Sequence, residues 1–286
     1  MSRAVIPATA SGPWPAPAKL NLFLHITGRR SDGYHELQTL FQFLGVADWL
    51  YFEADESGEI RLAGSPAGVD AEADLTVRAA HLLQECSGSR LGVTLYNDKR
   101  LPIGAGLGGG SSNAATTLVV LNRIWETGFN INELAEISLT LGADVPVFVQ
   151  GHAAFAEGIG EILSPADPPE SWFLVLNPSV SISTADIFSA VELTRDTPRM
   201  KIADLLSHGG RNDCEPVVCN RYPEVAAALN WLNGFSPARL TGTGSCIFAA
   251  FDSKVNAQAV ADRVPDNWDW FIARGVNRSP LHAALE

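Results

Sequence analysis

The sequence is poor in cysteine and in positive charge, and each shortage removes a class of function. Only four cysteines, Cys86, Cys214, Cys219 and Cys246, occur in 286 residues, with no C-x-x-C pair among them. Neither a disulfide framework nor a thiolate metal site is expected, and they are read as reduced thiols. The six histidines are scattered without H-E-x-x-H spacing, so a zinc centre has no support. Twenty Lys and Arg stand against 32 Asp and Glu, a formal charge of −12, which argues against nucleic acid as a partner, because a duplex-binding surface needs clustered cations to displace counterions. An anionic ligand would have to be met by a local pocket of cations or N–H groups, against the global field. Apolar runs long enough to span a bilayer are missing, so no membrane partner is expected. The opening "MSRAVIPATASGPWPAPAKL" is broken by Pro7, Pro13, Pro15 and Pro17 and lacks the apolar core of a signal peptide, which points to a cytoplasmic protein.

What is present is a globular composition, 46% hydrophobic and 18% charged, enough for a substantial core. The length favours two units over one. "KLNLFLHI" alternates, placing Leu20, Leu22, Leu24 and Ile26 on one face and Lys19, Asn21, Phe23 and His25 on the other, the pattern of a half-buried strand. "YHELQTLFQFLGVADWLYFEA" and "LGVTLYN" read as further strands, and residues 73–85 as a helix carrying Leu75, Ala79, Leu82 and Leu83. A helical stripe runs from Ala115 to Trp125, and another helix covers about 132–140. Pro165, Pro168 and Pro169 break regular structure over 164–171, a natural boundary between two α+β units at 1–163 and 164–286.

One stretch carries chemistry. "LPIGAGLGGGSSNAATTL", residues 101–118, places five glycines within seven positions ahead of a helix. A Walker loop fits from Gly104 to Ser111 except that Gly110 stands where the lysine belongs. G-x-G-x-x-G fits Gly104, Gly106 and Gly109, but "NDKRLPI" separates it from the preceding strand, and Ser111 replaces the valine of the protein-kinase version. What remains is a glycine turn with Ser111 and Ser112 at a helix N-terminus, where free N–H groups and the helix dipole favour a polyphosphate. A flexible linker with a serine N-cap is the alternative.

These residues resemble a known family. "LPIGAGLGGGSSNAA" is similar to the phosphate-binding motif of the GHMP kinase superfamily, and "PAPAKLNLFLHITGRRSDGYHEL", "LTLGADVPVFVQGHAAFAEGIGE" and "RLTGTGSCIFAAF" extend the likeness over nearly the whole chain. The resemblance implies a two-domain α+β fold, with an N-terminal ribosomal-protein-S5-like ATP-binding domain and a C-terminal ferredoxin-like domain flanking a cleft. It also implies ATP as phosphoryl donor with Mg2+, and a small-molecule substrate. Within the superfamily, the first motif pair is similar to the branch that phosphorylates the 2-hydroxyl of a cytidine diphosphate-linked methylerythritol in non-mevalonate isoprenoid precursor biosynthesis. Kinases of mevalonate, homoserine or sugars, and a noncatalytic nucleotide-binding module, are the alternatives. The sequence leaves monomer and homodimer equally open and does not fix the metal ligands.

Carried onto this chain, the resemblance makes Asp144 of "GADVP" the catalytic carboxylate and Lys19 the ammonium that orients it. An aspartate is ionised at neutral pH and can accept a hydroxyl proton. Two residues ahead of Pro146, Asp144 also suits a helix N-cap. The nucleotide is assigned Lys99, Pro102, Gly104, Gly106, Leu107, Gly108, Gly109, Gly110, Ser111 and Ser112. The substrate is assigned Asn21, Tyr34 for stacking on cytosine, His35 for hydrogen bonding, Thr184, Phe188 as the opposing ring, and Gly242, Thr243 and Gly244 near the phosphates. Core packing is the other reading of Phe188 and of the Tyr34–His35 pair. Asp74 departs from the family, which usually has Asn there; an ionised carboxylate accepts from the adenine amino group but cannot donate to a ring nitrogen.

Overall fold

The computed structural model describes residues 5–63, 73–201 and 210–286. Its frame is a long antiparallel hairpin, β1 (Ser11–Arg29) against β2 (His35–Asp55), closed by a turn at 30–34. Around it lie β3 (Ile60–Leu62), β4 (Gly92–Asp98), β5 (Ala154–Glu157) and β6 (Ile162–Pro165), and further along the chain β7 (Trp172–Asn177), β8 (Ala238–Leu240), β9 (Ile247–Phe251) and β10 (Asp269–Val276). The strand order is β3-β4-β2-β10-β7-β9-β8, with β1 and β5 also on β2. All pairings are antiparallel except β3 with β4. The fold is α+β, as its sequence patterns suggest.

Nine helices are described: α1 (Leu75–Ser87), α2 (Gly109–Ile124), α3 (Ile131–Ser138), α4 (Val145–Gln150), α5 (Thr184–Ser189), α6 (Glu215–Arg221), α7 (Pro223–Asn233), α8 (Lys254–Ala261) and α9 (Pro280–Ala284). The first core packs α1, α2 and α4 on the sheet through Leu83, Leu118, Phe148, Phe43 and Leu95. Each leucine fully removed from water there stabilises the fold by about 1.5–3 kcal/mol. A second core joins Leu174 and Ile247 of the sheet to Val218 and Leu229 of α6 and α7. A third cluster lies at the junction and holds Leu20, Leu107, Val175 and Phe248.

Four expectations are corrected. β1 is not half-buried: Lys19, Asn21, Phe23 and His25, on its supposedly wet face, are as covered as the leucines opposite. Distant segments cover them, residues 106–108 and 210–213, which no local alternation can register. β1 also begins at Ser11, inside the proline-rich lead. Pro13, Pro15 and Pro17 are accommodated because, among the described residues, β1 has a strand neighbour on one side only, so the missing N–H groups leave no central ladder broken. Next, α2 starts at Gly109 rather than beyond the serines, which places Ser111 and Ser112 inside its first turn. Finally, the proline break expected over 164–171 holds over 166–171 only, because Ser164 and Pro165 are the last residues of β6, paired with Phe155 and Ala154.

Candidate active site

A cleft of about 1310 Å³ runs across the mouth of the hairpin, walled by β1, β2, the glycine loop, the start of α4, α5 and the 241–244 turn. Every site residue assigned from the sequence lines it except Ser112, whose hydroxyl is buried without a partner in the first turn of α2. Pro102, Gly104, Leu107, Gly110 and Ser111 stand along one wall; Tyr34, Thr184 and Gly242 belong to others.

At its centre Lys19 and Asp144 meet, with Nζ 3.2 Å from Oδ2. The Lys19 side chain is 3% exposed and that of Asp144 35%, so the carboxylate looks into the cleft while the ammonium is enclosed. Lys19 Nζ also donates to Asn21 Oδ1 and to Gly106 O at 3.1 Å, and sits 5.5 Å above the Phe41 ring. Its three donors are therefore spoken for, as a buried cation requires. Asp144 occupies the N-cap position of α4, yet its side chain makes no capping bond. The carboxylate is left for the cleft.

The glycines divide into roles that composition alone does not separate. Gly104, Gly106 and Gly108 have φ of 66°, 78° and 70°, whereas Gly109 and Gly110 are already helical. A Cβ on Gly106 would lie 2.1 Å from Thr241 O, and one on Gly108 would lie 2.9 Å from the Phe148 ring and 3.0 Å from Lys19 Cε. Two of the glycines thus admit neighbouring protein, a demand on the run separate from any ligand. The loop is bonded to β1 through Lys19 N to Leu107 O (3.0 Å) and to the 241–246 turn through Cys246 N to Ala105 O (3.1 Å). At the start of α2 the first intrahelical bond comes from Ser112 N to Gly108 O, so the N–H groups of Gly109, Gly110 and Ser111 have no helical acceptor.

Several residues of the site escaped sequence reasoning. Asp48, fully buried on β2, accepts from Lys99 Nζ and from the backbone N–H groups of Arg100 (2.6 Å) and Leu101 (2.8 Å), fixing the approach to the glycine loop. With its amide nitrogen turned toward Asp48 (3.1 Å) and Gly109 O (2.9 Å), Asn113 accepts from Lys99 Nζ (3.0 Å) and Asn97 Nδ2 (2.9 Å). Thr241 Oγ1 accepts from Asn21 N (3.0 Å) and donates to Gly106 O (3.2 Å). Asn212 holds Leu240 O and Gly242 O at 2.8 and 2.7 Å, while Thr243 and Thr184 share a hydroxyl contact of 2.9 Å. Apart from the Asn113–Gly109 contact within α2, these pairs are far apart in sequence, so no spacing rule reveals them. Asp74 caps α1, its Oδ1 accepting from Thr76 N at 2.8 Å, a role that Asn would fill equally well.

At the far end, Tyr34 sits at the hairpin turn, 60% exposed, and is not a core residue. His35 is buried and stacks on Phe188 with ring centres 5.2 Å apart and planes 29° from parallel. Burial, and secondarily Arg195 and Arg29, hold the His35 pKa below the usual imidazole range. The thiol of Cys246, beside the turn, is pushed up by burial and is no nucleophile.

Residues 74–152 match the family model for the N-terminal domain of GHMP kinases and residues 189–269 that for their C-terminal domain. Over all 286 residues the chain is 57% identical to a 4-diphosphocytidyl-2-C-methyl-D-erythritol kinase of Ectopseudomonas mendocina, of which it covers 98%. The chain belongs to that family of GHMP kinases. It is an ATP-dependent small-molecule kinase. The kinase of the same name from Pseudomonas aeruginosa is 58% identical over 95% of this chain and 96% of its own length. A crystal structure of a 4-(cytidine 5'-diphospho)-2C-methyl-D-erythritol kinase superposes with a TM-score of 0.78 at 31% identity, over 91% of this chain and 98% of that one. Among the described residues no helix is long and apolar enough to cross a membrane.

Proposed function

We propose that the chain transfers the terminal phosphoryl group of ATP to the 2-hydroxyl of 4-diphosphocytidyl-2-C-methyl-D-erythritol, in the cytoplasm, with Asp144 receiving the hydroxyl proton. The observation that carries this reading is the 3.2 Å pair of Asp144 and Lys19, set in the same cleft as the glycine loop and the His35–Phe188 stack. Phosphoryl transfer asks little covalent chemistry of a protein and much positioning and charge stabilisation. The free N–H groups at the start of α2 and the ammonium of Lys99 offer donors to a triphosphate. Lys19 holds the Asp144 carboxylate toward the alcohol and counters charge that develops as the oxygen attacks. Tyr34, His35 and Phe188 receive the cytosine, and Asn21, Thr184, Gly242, Thr243 and Gly244 the remainder of the substrate.

Mg2+ fits this site as a companion of the nucleotide. Among the described residues no cluster of three or more His, Cys, Asp or Glu stands ready for a cation. The fitting groups are the Ser111 hydroxyl on the cleft wall and the buried, unpartnered Ser112 Oγ. When bound, the ion supplies charge neutralisation at phosphate oxygens.

A noncatalytic nucleotide-binding role is disfavoured because Asp144, at an N-cap position, is not used as a cap. Turnover measured with the cytidine substrate beside mevalonate and homoserine tests the reading: preference for the first is expected, and preference for either of the others overturns it.

A further inference from the structure

Beyond the stacked rings, the base end of the cleft has a second layer. Arg195 lies on the irregular stretch after α5, and its guanidinium is engaged on every nitrogen. Nε donates to His35 Nε2 at 3.0 Å; one terminal nitrogen donates to Leu193 O at 3.0 Å, and the other to Ala190 O at 2.6 Å and Phe188 O at 3.1 Å. A guanidinium has five N–H donors, no acceptor, and does not deprotonate in proteins. The contact at His35 therefore has one polarity: Nε2 carries a lone pair. An imidazolium has no such lone pair, so the ring is neutral and its one proton is on Nδ1.

We infer that Arg195 is a positioning residue for nucleobase recognition, which holds His35 in the Nδ1–H tautomer and ties the ring, with its stacked partner Phe188, to the backbone of residues 188–193. The inference rests on the reading that the cytosine lies among Tyr34, His35 and Phe188. Among the described residues His35 Nδ1 has no hydrogen-bond partner and the ring lines the cleft, so the fixed N–H faces a ligand there. Burial and the neighbouring guanidinium groups disfavour the charged ring and so support the same state. A ring free to exchange tautomers or to protonate offers a base either a donor or an acceptor. Locked by Arg195, it offers a donor only. O2 is an acceptor in both pyrimidines, but N3 is an acceptor in cytosine and carries a proton in uracil, so a fixed donor facing N3 favours cytosine.

The test is nitrogen-15 NMR of the histidine side chains in the full-length, ligand-free enzyme at pH 7, combined with kinetics. His35 is expected to show a protonated Nδ1 and an unprotonated Nε2. In Arg195→Met that pattern should give way to a mixture of tautomers. The KM for the cytidine substrate should rise on the order of tenfold, the loss of about one well-placed hydrogen bond, with kcat and the KM for ATP within about twofold. Preference over the uridine analogue should shrink. Arg195→Lys, still a donor without an acceptor, should keep the Nδ1–H signal. A protonated Nε2 in the wild type overturns the inference whether or not the variants fold. So does an Arg195→Met enzyme with unchanged cytidine KM. Absence of wild-type turnover on the cytidine substrate would instead mark failure of the proposed function, leaving the tautomer reading to the spectra.

Discussion

Lys19 Nζ and Asp144 Oδ2 lie 3.2 Å apart although one belongs to the first strand and the other to the loop before α4. On the proposed function, the pairing makes β1 part of the catalytic centre. It also divides one ion pair into an enclosed cation and a carboxylate open to the cleft, the first proposed to hold and the second to react. Asp144→Asn keeps the shape and removes the base. It should reduce kcat by about a hundredfold or more while ATP affinity, measured by calorimetry, stays within a few-fold. Wild-type turnover in this variant would contradict the assignment. Lys19→Met should also lower kcat strongly, and it should lower the urea midpoint too, because Asn21 Oδ1 and Gly106 O lose a buried donor.

Asp48 anchors the approach to the glycine loop, the wall proposed to hold the nucleotide. Replacing it with Ala strands two backbone N–H groups and frees Lys99, whose side chain is partly exposed. A loss of about 2–3 kcal/mol in unfolding free energy is expected. The KM for ATP should rise more than the KM for the cytidine substrate. Equal effects on both would place the role in general stability.

The three left-handed glycines should respond unequally to alanine. Gly104 has nothing within 4 Å of an added Cβ, so only the backbone conformation resists, at about 1–2 kcal/mol. Gly106 faces the same resistance and a clash at 2.1 Å with Thr241 O, a backbone atom that cannot rotate away. Thermal unfolding and ATP titration should both rank Gly106→Ala well below Gly104→Ala, and parity between them would show that the loop repacks.

His25, His35 and His282 all have pKa values lowered below the ordinary 6.5, with burial as the leading cause in each. Each binds a proton more weakly folded than unfolded, so stability is flat above about pH 6.5 and falls as pH drops below it toward the folded values. Glu215, raised by burial, acts in the opposite sense. His282→Gln isolates one contribution: between pH 7.5 and 5.5 its urea midpoint should fall less than that of the wild type. Parallel curves would exclude His282 as a contributor.

Much of this molecule is legible in the chain because the signals are local. The Leu75–Ser87 helix, the β1–β2 hairpin and the glycine loop all lie within short windows whose periodicity or composition is distinctive. The ends of the elements were less legible. Prolines in β1 argue against a strand until it is known that one side of that strand has no strand neighbour. The serines of the loop look like caps until Gly108 takes that place. Illegible altogether were Asp48, Asn113, Thr241, Asn212 and Arg195, ordinary polar residues whose meaning comes from partners brought close only by folding.

β10 pairs with β7 along most of its length and then, through Gly275 and Val276, with β2, and the chain continues into α9, where Leu281 enters the first core and His282 contacts Val149 O at 2.9 Å. The terminal segment therefore sutures the strands of the second core to β2 of the hairpin and to the end of α4. A continuous strand rather than a flexible tether joins β7 to β2, so the two cores cannot swing apart without breaking the pairing of Gly275 and Val276 with Leu44 and Phe43.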